Sequence, residues 1–156
     1  MDIGDFEARY IEAEKSLYLV AVSFLHNTED ARDAVQEAAI SALRGYSKLK
    51  NKDYFKTWIT RILINKCKDF LKAKRFSLEL TDSIGTFTSI PDEELEVMDC
   101  LCRMEPAEVK YITLRFYGDM TYDEVSRLLR LPVSTVKFRT KRAMEKLKIM
   151  LEGDVI

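Results

Sequence analysis

Residues 54–75 read YFKTWITRILINKCKDFLKAKR, and the side on which each residue falls decides how the chain is read. At about 100° per residue, Phe55, Ile59, Ile62, Leu63, Cys67, Phe70 and Leu71 gather on one face of a helix. Arg61, Asn65, Lys68, Lys72 and Arg75 fall within an arc of about 80° on the other side, and Trp58 stands at the border. A stripe of this width predicts an amphipathic helix docked on a core. The outward face, cationic with a large ring at its margin, suits a nucleic-acid strand: cations for phosphates, a ring for an unstacked base. Taken alone, the same face also fits a solvated basic surface with a buried tryptophan.

Charge is distributed in blocks. The formal net charge is only −1, yet residues 54–75 carry seven basic side chains against Asp69, a net +6. Residues 76–108 carry nine acidic side chains against Arg103, a net −8, and residues 134–150 carry six basic ones against Glu145, a net +5. Two positive blocks around a negative middle predict two separate nucleic-acid contacts rather than indiscriminate binding.

A chain of 156 residues holds one medium domain or two small ones. With 47 % hydrophobic and 33 % charged residues it is globular rather than disordered. Five glycines and three prolines leave long uninterrupted stretches, which predicts an all-α protein. No apolar run reaches the length of a membrane span and the first residues do not form a signal peptide, so a cytoplasmic protein is expected. Cys67, Cys100, Cys102 and His26 lack the spacing of a metal site, and reduced, buried thiols are expected. Without a phosphate-binding glycine loop, a nucleophile triad or a metalloprotease helix, neither catalysis nor a cofactor is expected.

Residues 5–26 have helical spacing in Phe6, Tyr10, Leu17, Val20, Ala21, Phe24 and Leu25. Thr28 is a candidate N-cap, with Glu29 and Asp30 in the first turn of a helix that runs to Gly45. That helix has a small-residue stripe of Ala31, Ala34, Val35, Ala38, Ala39, Ala42 and Leu43, and a polar face with Asp33, Gln36, Glu37 and Ser41. Residues 1–75 thus form one helical domain. Residues 76–91 lose helical period and are a candidate linker, and residues 92–156 form a second domain. There Asp92 starts a helix with Leu95, Met98, Leu101 and Cys102 inside. Pro106 starts the next, carrying Val109, Ile112, Leu114 and Phe116, with Gly118 as its stop.

The remainder has the parts of a helix-turn-helix. TYDE at 121–124 is a capping box, Leu131-Pro132 turns the chain, and a long helix begins at Val133 or Ser134. In this last helix Val136, Thr140, Ala143, Leu147 and Leu151 point inward. Ser134, Lys137, Phe138 and Lys141 point outward, with Arg139, Arg142, Lys146 and Lys148 at the flanks. Its first residues suit base edges, where a cation pairs with guanine and an apolar ring meets a thymine methyl; its later cations suit phosphates.

The segment TYDEVSRLLRLPVSTVKFRTKRAMEKLK resembles the promoter-reading helix-turn-helix of bacterial RNA polymerase sigma factors. EDARDAVQEAAISAL followed by FKTWITRILINKCKDFLKAKR resembles the conserved first domain of the same family, and two such domains with a short linker are similar to the extracytoplasmic-function (ECF) group. The resemblance implies that Asp33, Gln36 and Glu37 meet the clamp of the largest subunit of core RNA polymerase. It implies that Lys50, Asn51 and Lys52, in the loop 49–52, hold a flipped base of the −10 element. Trp58, Arg61, Asn65, Lys68, Lys72 and Arg75 would follow the melted strand. It also implies that Ser134, Thr135, Lys137, Phe138, Lys141 and Arg142 read the −35 element as duplex, and that an anti-sigma factor is a further partner.

Three departures stand out. Arg130 occupies the turn position where such proteins usually carry glycine, at a cost of about 1–2 kcal/mol in the left-handed conformation. Phe138 replaces the small polar residue common in the recognition helix. Ile64 falls on the basic side of its helix and Lys66 on the apolar side. A stand-alone helix-turn-helix regulator, whose first domain dimerises or senses, is the alternative; a helical adaptor for acidic partners is a third reading. The acidic stretch 76–108 is further expected to fold back on the basic helices of the free protein.

Overall fold

The computed structural model describes residues 3–76 and 92–153, and among these the chain is helical with no strand. The helices are α1 (Ile3–Leu25), α2 (Thr28–Gly45), α3 (Phe55–Phe76), α4 (Asp92–Arg103), α5 (Pro106–Ile112), α6 (Tyr122–Leu129) and α7 (Val133–Gly153). Two compact units result, Met1–Thr88 and Ser89–Ile156. The linker and most of the acidic stretch, including residues 77–91 and the side chains of 92–94, lie outside the described residues. Among the described residues no helix is long and apolar enough to cross a membrane.

In the first unit α1, α2 and α3 pack pairwise on one another. Ala31, Ala34, Ala38 and Ala42 are fully buried along α2, and their small side chains let both neighbours approach while Leu17, Val20, Ile59 and Leu63 fill the space between. α2 is capped by Asn27, whose Oδ1 accepts the Asp30 N–H at 2.9 Å. The expected cap, Thr28, lies one residue inside the helix and is buried. His26 takes a positive φ of 54° and reverses the chain between α1 and α2.

α3 corrects the expected stripe. Phe55, Ile59, Leu63 and Cys67 are buried as expected, but so are Thr60 and Ile64, the latter 3 % exposed. Leu71, expected inside, is exposed near the helix end. The cause is packing on two partners: a helix wedged between α1 and α2 buries close to half its circumference, and Ile64 lies at the edge of that half. Lys66, at the opposite edge, is half-buried. The Thr60 hydroxyl donates to the Lys56 carbonyl at 2.6 Å, which satisfies the one polar group in the stripe.

In the second unit α7 packs on α4, α5 and α6. Val136, Thr140, Ala143 and Leu147 of α7 are buried together with Met98, Leu101, Val109, Tyr111 and Leu114. α5 opens on Pro106 and continues into a π turn, Thr113–Tyr117, closed by the Gly118 N–H on the Thr113 carbonyl at 2.9 Å. Gly118 keeps a right-handed conformation with φ −82°, and the left-handed residue is Asp119 with φ 52°. The π turn also moves Phe116 out of the α-helical register that would have buried it. Its ring is 50 % exposed, contrary to expectation.

Candidate nucleic-acid interface

The segment between α2 and α3 consists of two 3₁₀ turns, Tyr46–Lys48 and Lys52–Tyr54. Lys50 and Asn51, between them, are exposed. Asn51 uses its Oδ1 to accept the Asp53 N–H at 3.0 Å, which caps the second turn. Lys52 is turned inward: its Nζ donates to the carbonyls of Tyr46 and Leu49, both at 2.7 Å, and lies 4.0 Å from the centroid of the Tyr46 ring. Its role in this loop is to hold the backbone, while the side chain of Lys50 is presented to solvent.

Three residues that sequence reasoning missed complete the arrangement. Arg9 donates through Nη1 to the Lys52 carbonyl at 2.8 Å and lies 3.4 Å from the Asp5 carboxylate. The Tyr46 hydroxyl donates to the same carboxylate. That hydrogen bond, followed by the Arg9 charge, holds Asp5 below its ordinary pKa of 3.8, and burial followed by Asp5 pushes the Tyr46 phenol above its ordinary 10.0. Phe6 meets Tyr46 and Phe55 edge-on, with centroids 5.3 and 5.6 Å away.

Trp58 joins this cluster, 6.0 Å from Phe55 and 6.5 Å from Tyr46. It is half-buried. Along α3, Asn65, Lys68 and Lys72 are exposed and Arg61 is half-buried. The Arg61 Nε is shielded from solvent without a hydrogen-bond partner. The Arg75 side chain lies outside the described residues. The basic face expected from the sequence is therefore present from Arg61 to Lys72, next to the aromatic edge and the loop.

On α2, Asp33, Gln36 and Glu37 are all exposed. Ile40, one turn beyond Gln36, is 53 % exposed on the same side.

On α7, Ser134, Lys137, Phe138, Lys141 and Arg142 are exposed, and Thr135 is half-buried. Phe138 is 61 % exposed, with the Arg142 guanidinium 5.7 Å from its centroid. Arg139 and Lys146 are engaged within the fold: Arg139 donates to the Tyr111 hydroxyl at 2.9 Å, and Lys146 pairs with Glu108 at 2.7 Å. Two more residues missed in the sequence stand beside the helix. Tyr122 takes Arg115 at 4.9 Å and Lys137 at 5.8 Å against its ring.

The turn before α7 is built locally. Thr121 Oγ1 accepts the Glu124 N–H and Glu124 Oε1 accepts the Thr121 N–H, both at 3.1 Å, as a capping box requires. α6 ends at Arg130 in the left-handed conformation, φ 57° and ψ 48°. The Leu131 N–H returns to the Ser126 carbonyl at 3.1 Å, and the Ser126 hydroxyl donates to the Leu131 carbonyl. The residue that departs from glycine thus keeps glycine's conformation, with hydrogen bonds on both sides to offset its strain. Cys67 and Cys102 take no part in either surface; burial raises their thiols to about 12 and about 11, with Asp99 adding to the second.

Two family models match the chain in order: Sigma-70 region 2 over residues 10–76 and Sigma-70, region 4 over residues 94–147. The RNA polymerase sigma factor SigV of Bacillus subtilis (strain 168) is 28 % identical over 142 residues, covering 88 % of this chain and 86 % of that one. The ECF RNA polymerase sigma-E factor of Escherichia coli (strain K12) is 27 % identical over 161 residues, covering 85 % and 84 %. The fold is also that of the sigma factor RpoE, crystallised in complex with the anti-sigma factor NepR from Bartonella quintana. The TM-score is 0.74 at 19 % identity, over 96 % of this chain and 98 % of that one. CnrH, in complex with the cytosolic domain of CnrY, matches with a TM-score of 0.64 at 24 % identity, over 96 % and 88 %. A stand-alone helix-turn-helix regulator accounts for only the second half of this pattern. With both halves matched in order, the chain belongs to the sigma-70 family, as an RNA polymerase sigma factor of the extracytoplasmic-function group.

Proposed function

We propose that the two units divide the work of promoter selection for core RNA polymerase. The observation that carries this reading is the pair of exposed cationic faces, Arg61 to Lys72 on α3 and Lys137 to Arg142 on α7, one in each matched region. The first unit takes the melted −10 strand: Lys68 and Lys72 follow phosphates, the Arg61 guanidinium adds its charge beside them, and Trp58 stacks on a base at the fork. Lys50 and Asn51 line the place of an extruded base, on a loop held from behind by Lys52. Extrusion costs a few kcal/mol of unstacking, which the loop and the phosphate contacts offset.

The second unit reads the −35 element as duplex. Ser134, Lys137, Phe138 and Lys141 meet base edges, Phe138 favouring a thymine methyl, and Arg142 serves a phosphate. Asp33, Gln36 and Glu37, with Ile40 as an apolar anchor, dock on the clamp of the largest polymerase subunit. The protein acts in the cytoplasm, without catalysis of its own. A sigma factor of the same fold, RpoE, was crystallised with an anti-sigma factor, which supports an anti-sigma factor for this chain too.

The experiment is transcription in vitro from a pool of genomic fragments by core RNA polymerase with and without the purified protein. New, specific start sites that share −35 and −10 sequences are expected. A pool transcribed identically in both reactions, while another sigma factor works in parallel, would remove the proposal.

A further inference from the structure

Asp5, Phe6 and Arg9 precede residue 10, where the region 2 match begins, yet they hold the segment between α2 and α3. The carbonyls of Tyr46, Leu49 and Lys52 are all taken, the first two by the Lys52 ammonium and the third by Arg9. The Tyr46 hydroxyl is tied to Asp5, and its ring is set by Phe6 and Phe55. Each link of this clasp ends either on the backbone of residues 46–52 or on a side chain that holds it. Lys50 and Asn51 are left as the exposed side chains of the segment's middle. A loop fixed in this way needs no ordering when a ligand arrives, and small shifts in its backbone change what it fits more than how strongly it is charged.

We propose that the first turns of α1 are a positioning element for base capture. Asp5 and Arg9, acting through Tyr46 and Lys52, shape the loop 49–52 so that it discriminates among extruded bases. Neither residue touches DNA, and overall DNA affinity does not depend on them. The inference rests on the reading of loop 49–52 as the receptor of a flipped base.

The test uses holoenzyme reconstituted from core RNA polymerase and the full chain, bound to forked templates of a promoter it initiates on. Each non-template base of the −10 element is replaced in turn by an abasic site. For the unaltered protein, removing the captured base should weaken binding about tenfold or more, the scale of stacking one base. Lys50→Ala and Asn51→Ala should reduce that ratio if the loop itself receives the base. Tyr46→Phe, which deletes one oxygen and keeps the ring in its cluster, and Arg9→Gln should reduce it to about threefold or less, with affinity for the abasic template within about twofold of the unaltered protein. Should one of these two variants fail to fold, the other decides.

An unchanged ratio in the clasp variants, with Lys50→Ala sensitive, overturns the clasp and leaves the loop reading standing. A ratio that no loop variant moves overturns the loop reading and the clasp together. Equal weakening on intact and abasic templates, with a lowered melting temperature, assigns the clasp to stability alone and overturns it as well.

Discussion

The two connectors beside the proposed DNA-facing surfaces are fixed in different ways. The turn between α6 and α7 is held by its own residues: the Leu131 N–H returns to the Ser126 carbonyl and the Ser126 hydroxyl donates to the Leu131 carbonyl, around the left-handed Arg130. The segment between α2 and α3 has local ties from Lys52 and Asn51, but it is also held from a distance, by Asp5 and Arg9, which lie 41 and 43 residues from Tyr46 and Lys52. A locally fixed turn is an autonomous part that arrives with its helices. A remotely fixed loop takes its shape only once α1, α2 and α3 have packed, so its geometry inherits every perturbation of that core.

The sharpest way to break this contrast is at the core under the remote loop. Phe55 is buried in the aromatic cluster, and Phe55→Ala should cost about 3–5 kcal/mol. Trp58 is the chain's one tryptophan and sits in that cluster, so its fluorescence in a urea titration reads the first unit specifically. The midpoint seen by Trp58 should fall well below that of the unaltered protein. Thr121→Ala removes half of the capping box and should cost about 1 kcal/mol. Here the Trp58 transition should stay where it is, while the loss appears in the far-ultraviolet circular dichroism of the rest.

Smaller effects sharpen the comparison further. Arg130→Gly relieves a left-handed arginine but adds backbone freedom to the unfolded chain, and a net gain of about 1 kcal/mol or less is expected, read by the same dichroism melt. The smallest effect is that of pH on the clasp. Asp5 is held below 3.8, so its contribution is present above that value and lost as pH falls through its lower folded pKa. Tyr46 is held above 10.0, so its contribution is present below that value and lost as pH rises through its higher folded pKa. The Trp58-reported stability should therefore be level between about pH 5 and pH 9 and decline at both ends. Arg9→Gln, which loosens the same clasp, should soften the acid-side decline.

The same contrast explains what could be read from the amino-acid order. The capping box, the turn at Arg130, the inner stripe of α7 and its outward Lys137 and Phe138 depend on neighbours within a few positions, and each is found where the pattern predicts it. The basic face of α3 was legible for the same reason. Its burial was not: a one-faced pattern assigns Ile64 to solvent, and only the presence of two packing partners brings it inside. Phe116 was misplaced because a π turn adds a residue that helical periodicity does not anticipate. Asn27 and Thr28 are adjacent residues that both cap helices, and the stronger capping residue, Asn27, takes the position. Asp5, Arg9 and Tyr46 are ordinary residues in ordinary helices, and their convergence on one loop is a property of the packed bundle.

Because Asp5 and Arg9 lie ahead of the family-matched stretch, a boundary drawn from that stretch alone leaves them out. A fragment beginning at residue 10 keeps the whole of region 2 and the loop 49–52, yet loses both remote ties to that loop. If the proposed clasp holds, the base preference of such a fragment should be blurred. Promoter-selectivity measurements should use material that retains residues 5 and 9.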